Sequence, residues 1–348
     1  MKILGVETSC DETAVAVVQS SAAGHKALAN IISSQVKLHS KYGGVVPNLA
    51  AREHTRNLDH VFKLALEKAK IKKIKEIDLI AVTSGPGLVS SLLIGTAFAK
   101  TLAWLWDKPI VGVNHLEGHI YSNWLTDLKN SKIFQALNLV VSGGHTQLVL
   151  MTNHGKYKLI GETRDDAAGE AFDKIARILG LGYPGGPAIA MVAARIKGQR
   201  PNIEISLPRP MIDSKNFDFS FSGLKTAVLY LVHDFKNKYP LKKIRPVVSR
   251  EAQNAIVDVL VSKTIRAAEK FNVKSVLLSG GVSANKLLRE ELEKNLKIDA
   301  PRVTFFKPNI EYTTDNAAMI AVAGYYNYIF GNKKSWKNIK VDANKQLA

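Results

Sequence analysis

The segment ILGVETSCDETAVAV (residues 3–17) decides the fold, because it reads as two short apolar strands joined by a polar turn. Residues 8–12 form the turn and supply hydroxyl, thiol and carboxylate groups. The pattern predicts a β-hairpin with these polar groups at its tip. A second segment, LVVSGGHTQLVL (residues 139–150), repeats the order of strand, polar turn and strand.

The sequence around these two segments continues the repetition. A buried strand over residues 77–82 leads into a glycine turn and a long helix over 88–106, and the same order of elements begins again at residue 276. Coarse repetition of this kind predicts a duplicated α/β unit. A chain of 348 residues, 46% of them hydrophobic, is large enough for two such units. We expect one lobe over residues 1–130 and about 310–348, and a second lobe over residues 131–309.

The composition predicts a polyanionic partner and a reducing compartment. The net charge of +18 favours association with nucleic acid, although scattered lysines on a solvated surface would give the same count. The single cysteine excludes an internal disulfide, so we expect a cytoplasmic protein. No apolar run reaches the roughly 18 residues that span a bilayer, so we expect no membrane partner.

Two histidines, His115 and His119, follow the predicted strand over residues 110–113. Positions i and i+4 share one face of a helix, so both imidazoles can reach one metal ion. Gly118 costs this helix about 1 kcal/mol relative to alanine, which indicates that another group approaches it closely. A zinc protease would need glutamate directly after the first histidine, where this chain has Leu116.

A third metal ligand is expected near the end of the chain, where Asp315 precedes an apolar helix. Its position allows two interpretations. It is either the N-cap of that helix or the carboxylate of a His-His-Asp metal site. Such a ligand set suits iron, zinc or manganese and leaves positions open for a substrate.

Three glycine-rich loops, at residues 142–144, 182–187 and 279–285, are candidates to hold a phosphate. Glycine lets backbone N–H groups approach a phosphate closely, although each loop alone is also typical of an ordinary turn. None of them is a Walker A or a Rossmann glycine motif. Asp173 is a candidate to bind the two hydroxyls of a ribose, or it pairs with a lysine on a helix surface. Cys10 reads as a small hydrophobic residue near a turn.

Eight motifs occur in a fixed order along the chain. They are VETSCDET (residues 6–13), HLEGH (115–119), VSGGHT (141–146), GEAFD (169–173), GYPGGP (182–187), FSFSGLKT (219–226), GGVSAN (280–285) and TDN (314–316). Together they closely resemble the tRNA N6-adenosine threonylcarbamoyltransferase family, once described as O-sialoglycoprotein endopeptidases or glycoproteases. The resemblance runs from residue 1 to about residue 330, and the ETSCDET form is similar to the bacterial or organellar branch.

The resemblance implies an α/β, actin-like and sugar-kinase-like (ASKHA) fold, in which two duplicated RNase H-like domains border an interdomain cleft. It implies one divalent metal, iron or zinc, held by His115, His119 and Asp315. It also implies that threonylcarbamoyl-AMP lies in the cleft, where ATP or AMP can bind as well. Motif matching assigns the contacts to this substrate to Val140, Val141, Ser142, Gly143, Gly144, Asp173, Gly186 and Asn285.

The implied reaction moves the threonylcarbamoyl group to N6 of adenosine 37 in tRNAs that read codons starting with A, and it releases AMP. The basic surface would bind the anticodon stem-loop. Asp11 or Glu12 is the candidate to accept the N6 proton or to orient the base. The resemblance also implies three protein partners: an inactive paralogue, a small ATPase and a separate enzyme that makes threonylcarbamoyl-AMP.

Departures from the family pattern are small. Many relatives carry histidine and methionine where this chain has Asn114 and Leu116, and the spacing makes neither residue a ligand. Some relatives carry an acidic residue or serine where this chain has Ala190, so one contact to the nucleoside would be missing.

Three other interpretations compete with the transferase. A small-molecule kinase of the same fold would use magnesium with carboxylates and water, which the paired histidines disfavour. A nucleotide-gated scaffold would assemble without forming a product. A glycoprotease is disfavoured by the missing HExxH motif.

Overall fold

The fold is that of a computed structural model, which describes residues 1–126, 128, 133–196, 203–235, 238–331 and 335–347. The chain forms two units. Unit 1 comprises Met1–Ile133, Met151–Tyr157 and Pro308–Ala348, and unit 2 comprises Phe134–Leu150 and Lys158–Lys307. The predicted junction at residues 130 and 131 lies outside the described residues, so the lobe limits stay a prediction.

The same order occurs twice along the chain: three consecutive strands, two or more helices, and then two strands that alternate with helices. The first part contains β1 (Lys2–Glu7), β2 (Glu12–Ser21), β3 (Gly24–Ser34), α1 (Val36–His39), α2 (Pro47–Lys68), β4 (Leu79–Gly85), α3 (Val89–Trp106), β5 (Ile110–Asn114) and α4 (His115–Tyr121). The rest contains β6 (Ala136–Val141), β7 (Thr146–Asn153), β8 (Lys156–Glu162), α5 (Ala168–Ile178), α6 (Gly185–Ala194), α7 (Ser222–Phe235), α8 (Leu241–Lys270), β9 (Ser275–Ser279), α9 (Lys286–Asp299), β10 (Thr304–Phe306) and α10 (Ala317–Ile329). Short 3-10 helices occur at Ser40–Tyr42, Ile74–Glu76, Ser122–Leu125, Gly281–Ala284, Ile310–Tyr312 and Trp336–Asn338.

Unit 1 is built on a five-stranded sheet with the strand order β3-β2-β1-β4-β5. The central strand β1 is antiparallel to β2 and parallel to β4, and β5 continues the parallel side. Every residue of β1 after Lys2 is buried, as expected for a strand with neighbours on both sides. The hairpin predicted from residues 3–17 is therefore confirmed, and residues 8–11 form its turn.

Unit 2 repeats the sheet of unit 1. Its strand order is β8-β7-β6-β9-β10, so β6 to β10 occupy the positions that β1 to β5 occupy in the first sheet. The strand β9 is parallel to both β6 and β10, as β4 is parallel to β1 and β5. The matching strand order confirms the predicted duplication of one α/β unit.

Helix α10 lies against the sheet of unit 1 at backbone contact distance. Its first eight residues, 317–324, are all buried. A Cβ atom added at Gly5 of β1 would lie 2.2 Å from the carbonyl oxygen of Ala317 and 3.1 Å from the Cβ of Ala321. Small residues on both surfaces permit this approach. The contact fixes the start of α10 on the central strand, and it therefore positions Asp315, two residues before the helix.

Each unit has its own hydrophobic core. In unit 1, Leu4 of β1 and Leu58 of α2 belong to one cluster of buried side chains. In unit 2, a cluster joins Leu139 of β6, Phe172 of α5 and Ile256 of the long helix α8. Among the described helices, none combines the length and the apolar character that crossing a membrane requires.

We expect Gly5→Ala to lower the free energy of unfolding by about 1–3 kcal/mol, the usual cost of an extra methyl group in a packed core. The added atom meets a backbone oxygen, which cannot move without shifting α10. Equilibrium denaturation measures the change. Gly223→Ala is the control, because a Cβ atom there has no neighbour within 4 Å, and it should leave stability unchanged or raise it by up to about 1 kcal/mol. Equal losses in the two variants would contradict the packing argument.

Candidate metal centre and nucleotide-binding loops

The two histidines lie on α4, which starts directly at the carboxyl end of β5. Asn114 is the N-cap: its side-chain oxygen accepts hydrogen bonds from the N–H groups of Leu116 and Glu117, at 2.8 and 3.4 Å. All seven residues of this short helix are buried. The ring centroids of His115 and His119 are 4.7 Å apart, so the two imidazoles share the predicted face.

Gly118 of α4 is the point where this helix meets α10. A Cβ atom at Gly118 would lie 2.6 Å from Cδ1 of Ile320 and 3.3 Å from Cγ of Met319. The expected close approach of another group to this glycine is therefore confirmed. It lets α4 and α10 pack directly on each other, although they come from distant parts of the sequence.

Asp315 reaches the histidines from just before α10. Asn316 is the N-cap of α10, because its side-chain oxygen accepts a hydrogen bond from the N–H of Met319 at 3.0 Å. The N-cap interpretation of Asp315 is therefore wrong. Its Oδ1 lies 3.1 Å from Nε2 of His119 and 3.5 Å from Nε2 of His115. The three potential ligand atoms all lie within 4.8 Å of one another, so they can hold a single ion.

The surroundings of His119 fit a metal ligand. Its side chain is fully buried, and neither ring nitrogen has a hydrogen-bond partner in the described part of the chain, since the approach of Asp315 to Nε2 lacks hydrogen-bond geometry. A buried polar atom without a partner costs about 1–3 kcal/mol, which a coordinate bond would offset. Two imidazole nitrogens and one carboxylate are a ligand set for iron, zinc or manganese.

Two carboxylates act on the two ring nitrogens of His115. Its Nδ1 lies 3.0 Å from Oε2 of Glu7, and its Nε2 faces Asp315. Burial disfavours the charged imidazole, but Asp315 and Glu7 raise the pKa of His115 well above its ordinary value. Burial likewise opposes ionisation of the carboxyls, yet His115 lowers the pKa of Glu7 and holds that of Asp315 well below its usual range. The centre therefore carries two ionised carboxylates.

Glu7 is a residue of this centre to which the sequence reasoning assigned no role. It is the last residue of β1, and its side chain is fully buried in a strand that is otherwise apolar after Lys2. A signal was available, because a carboxylate is almost never fully buried unless it is paired. What the sequence does not show is that the partner is His115.

Asp11 and Glu12 lie where the first hairpin turn meets β2. The hydroxyl of Ser34 donates a hydrogen bond to Oε1 of Glu12 at 3.0 Å. Burial, together with the carboxylates of Asp315 and Asp11, raises the pKa of Glu12 to about 10. The hydroxyl of Ser9 in the same turn lies 3.1 Å from Nδ1 of His115, so this turn lies beside the candidate metal ligands. Burial and the same carboxylates also raise the pKa of Cys10 well above its ordinary value, so its thiol is not a ready nucleophile.

In unit 2, the first predicted phosphate loop is the turn between β6 and β7. Val140 and Val141 end β6, and the N–H of Ser142 closes the turn by donating a hydrogen bond to the carbonyl oxygen of His145 at 2.8 Å. Residues 143 and 144 are exposed, and a Cβ atom added at Gly143 or Gly144 would have no neighbour within 4 Å. An open turn lined by glycine leaves room for a phosphate.

Two further glycines bring other loops against this turn. A Cβ atom at Gly169, on the first turn of α5, would lie 2.5 Å from the carbonyl oxygen of Ser142. Gly280, which follows β9, has a φ angle of +88°, and a Cβ atom there would lie 2.3 Å from the carbonyl oxygen of Val141. Because β6 and β9 are parallel neighbours, these loops gather at the carboxyl edge of the sheet, where α/β folds place ligands.

Asp173 and Gly186 lie together at the junction of α5 and α6. Oδ1 of Asp173 accepts a hydrogen bond from the N–H of Gly185 at 2.6 Å, so this carboxylate holds the first turn of α6. A Cβ atom at Gly186 would have no neighbour within 4 Å, which leaves the adjacent surface open. The predicted contacts of both residues with a nucleotide stay predictions.

Asn285 stands at the start of a helix, as the sequence suggested, and caps α9. Its side-chain oxygen accepts a hydrogen bond from the N–H of Leu288 at 3.1 Å, and its amide nitrogen donates to Oε1 of Gln253 at 3.1 Å. These bonds fix the amide at the carboxyl edge of the second sheet. Its contact with the phosphate or the base stays a prediction.

Comparison with known proteins identifies close relatives. A family model described as tRNA N6-adenosine threonylcarbamoyltransferase matches residues 26–322. A protein of that name from Caldicellulosiruptor saccharolyticus is 47% identical over 97% of this chain and 96% of its own length. Proteins of the same name from Thermosipho africanus and Bacillus subtilis are each 48% identical, over 94% and 93% of this chain and 94% and 90% of their own lengths.

Solved structures support the fold. The crystal structure of full-length HypF in the phosphate- and nucleotide-bound form aligns with a TM-score of 0.59 at 13% identity, over 97% of this chain and 47% of that chain. HypF from T. kodakarensis aligns with a TM-score of 0.56 at 13% identity, over 96% of this chain and 49% of that chain. Together with the two five-stranded sheets, this likeness confirms the predicted actin-like, sugar-kinase-like fold class.

We expect the wild-type protein to bind one divalent metal ion per chain and His119→Ala to lose it. Loss of a ligand should weaken binding by more than about 100-fold, because even residues beyond the ligands change metal affinity about 10- to 100-fold. Metal content after loading with Fe²⁺ or Zn²⁺ and dialysis measures this. His233→Ala is the control, because that side chain is 80% exposed on α7. Equal metal content in the two variants would exclude His119 as a ligand.

Proposed function

The chain belongs to the tRNA N6-adenosine threonylcarbamoyltransferase family, and we propose that it forms threonylcarbamoyladenosine (t6A) in tRNA. It transfers the threonylcarbamoyl group of threonylcarbamoyl-AMP to N6 of adenosine 37, in tRNAs that read codons starting with A, and AMP leaves. One observation carries the proposal: His115, His119 and Asp315 converge in a chain that matches the family over nearly its whole length.

The proposed reaction is a carbamoyl transfer. The exocyclic amine of adenine forms a bond to the carbamoyl carbon, the bond from that carbon to the phosphate oxygen breaks, and N6 loses a proton. This amine is a weak nucleophile. The protein must therefore position the two reactants and stabilise the charge that develops on the carbonyl oxygen and on the departing phosphate.

We propose that His115, His119 and Asp315 hold iron or zinc. A metal bound there supplies Lewis-acid stabilisation of the substrate's oxygens. The N–H groups of Gly143 and Gly144 hold the phosphate or carbonyl of the adenylate, and ATP or AMP can occupy the same place. Ser142 shapes this turn, because its N–H is already donated to the carbonyl oxygen of His145. Support comes from the open turn and from the loops that gather at the carboxyl edge of the second sheet.

The remaining contacts follow from the positions of three further residues. Asp173 binds the ribose hydroxyls while keeping the junction of α5 and α6 in place. Gly186 leaves room for the nucleoside beside that junction, and Asn285 faces the phosphate or the base from the start of α9. The hydrogen bonds that orient Asp173 and Asn285 support these roles, because a fixed side chain loses little entropy when a ligand binds.

Asp11 or Glu12 accepts the N6 proton or orients the incoming base. A proton acceptor has to be ionised. Burial raises the pKa of Glu12, and the carboxylates of Asp315 and Asp11 raise it further, to about 10. A divalent cation beside Asp315 acts in the opposite direction, because its charge favours ionised carboxylates nearby.

The proposed acceptor is tRNA, bound through its anticodon stem-loop by the basic surface. The net charge of +18 supports this, since lysine and arginine track the phosphates of RNA. We further propose that the chain works with an inactive paralogue and a small ATPase, and that a separate enzyme supplies threonylcarbamoyl-AMP. A cytoplasmic location follows from the proposed tRNA substrate.

Reconstitution tests the reaction and two of its residues. With threonylcarbamoyl-AMP, unmodified tRNA and the bacterial partner proteins, we expect t6A by mass spectrometry and an equal amount of AMP. His119→Ala should lower kcat by at least about 100-fold, because Lewis-acid stabilisation is worth several kcal/mol.

Asp173→Asn keeps an acceptor for the N–H of Gly185 but loses the negative charge of the carboxylate. The KM for the adenylate should therefore rise about 10- to 100-fold with a smaller change in kcat.

His233→Ala should match the wild type in this assay, since its side chain is exposed. Full t6A formation by His119→Ala would exclude the proposed role of the metal. Phosphorylation of a small acceptor by ATP, without a modified nucleoside, would favour a kinase instead.

A salt titration tests the proposed RNA contact. We expect the logarithm of the association constant for an anticodon stem-loop to fall with the logarithm of the salt concentration with a slope of about −3 or steeper. Each phosphate contact contributes about −0.7 to −0.9. An RNA hairpin of equal length and unrelated loop sequence should show the same slope with weaker binding. A slope near zero would contradict the electrostatic argument.

A further inference from the structure

We propose that Glu7 is a positioning residue of the metal centre, which accepts a hydrogen bond from Nδ1 of His115 and so directs Nε2 of that ring to the metal. The inference rests on the proposed metal site and adds a residue outside the three ligands. In protein metal sites, the second nitrogen of a ligating histidine commonly donates to a carboxylate, which fixes the ring and increases its basicity.

The burial of Glu7 is the first observation that points to this role. Its side chain is fully buried at the end of the central strand β1, where an unpaired carboxylate would be costly. The N–H of Ser9 donates to Oε1, and the hydroxyl of Thr83 donates to Oε2 at 2.7 Å. Since Thr83 lies on β4, the carboxylate is held by donors from a neighbouring strand and from the turn between β1 and β2, and its direction is set before any metal arrives.

The geometry of His115 is the second observation. Its Nδ1 lies 3.0 Å from Oε2 of Glu7 and 3.1 Å from Oγ of Ser9, while its Nε2 faces Oδ1 of Asp315. A cation shared by Nε2 and Asp315 would leave no room for a proton on that side, so the single proton of the neutral ring then belongs on Nδ1, where Oε2 of Glu7 accepts it. The lone pair then belongs to Nε2, on the side of the other two ligands.

The two histidines differ in this respect, which makes the role of Glu7 specific. His119 has no hydrogen-bond partner at Nδ1 among the residues that the structure describes, so no carboxylate orients its ring from that side. Loss of the Glu7 carboxylate should therefore weaken the metal contact of His115 and leave that of His119 unchanged.

Glu117 offers a matched control on the metal helix itself. It is buried, it lies two residues from each histidine, and its carboxyl oxygens accept hydrogen bonds from Tyr157 at 2.9 Å and Asn327 at 2.8 Å. These hydrogen bonds do not involve His115 or His119. Glu117→Gln thus makes the same chemical change in another buried side chain of the same unit.

The test measures the affinity of the purified full chain for Zn²⁺ by competition with a chelator, and the visible spectrum of the Co²⁺-loaded protein. We expect Glu7→Gln to weaken Zn²⁺ binding about 10- to 100-fold and to change the Co²⁺ spectrum. Glu117→Gln should do neither. Equal affinities of wild type and Glu7→Gln, or equal losses in Glu7→Gln and Glu117→Gln, would overturn the proposal.

A double-mutant cycle identifies the histidine through which Glu7 acts. In the His119→Ala background, Glu7→Gln should still weaken the residual binding, whereas in the His115→Ala background it should have no further effect. The same loss in both backgrounds would overturn the proposal. If Glu7→Gln does not fold, Thr83→Val is the substitute. This variant removes one donor that orients the Glu7 carboxylate, so it should also weaken Zn²⁺ binding. Unchanged Zn²⁺ affinity of Thr83→Val would then overturn the proposal. A wild-type chain that binds no metal would overturn the proposed metal site as a whole.

Discussion

The candidate metal centre depends on the close packing of α10 against β1, β4 and α4. Each contact point contains a glycine: Gly5 on β1, Gly118 on α4, and Gly324 on α10 where it meets β4. A Cβ atom added at any of these positions would lie 2.2 to 2.6 Å from its nearest neighbour. The helix therefore cannot slide or rotate without losing these contacts. Since Asp315 lies two residues before α10, packing of the whole helix decides where its carboxylate lies.

The duplicated unit presents two kinds of chemical group at the same hairpin turn. In unit 1, carboxylates flank the turn after the central strand: Glu7 lies before it, and Asp11 and Glu12 lie at its end. Carboxylates suit the binding of a cation or the transfer of a proton. In unit 2 the equivalent turn carries Gly143 and Gly144, which expose backbone and suit an anion. The strand order is shared, and the turn residues differ, so function lies in the loops that the repeated sheet presents.

Local sequence patterns predicted the features that depend on residues close in sequence. They did not predict the features that depend on contacts between distant parts of the chain. The hairpin, the shared face of His115 and His119 and the duplication all follow from short-range periodicity or repetition. The choice between Asp315 and Asn316 as N-cap does not, because both residue types cap helices well and tertiary contacts select one. Glu7 was missed for the same reason, since only the register of β1 with β4 and the position of α4 reveal its partners.

The distribution of charge in unit 1 favours a cation at the candidate metal centre of a basic chain. The net charge of +18 attracts polyanions, yet unit 1 brings together the carboxylates of Glu7, Asp11, Glu12 and Asp315. Burial raises the pKa of Glu12, and Asp315 and Asp11 raise it further, as expected when like charges repel. The phosphates of an adenylate or of tRNA would meet the same repulsion. A divalent ion held, as proposed, by Asp315 and two imidazoles would reverse the local field and would make the surroundings of these carboxylates compatible with a phosphate.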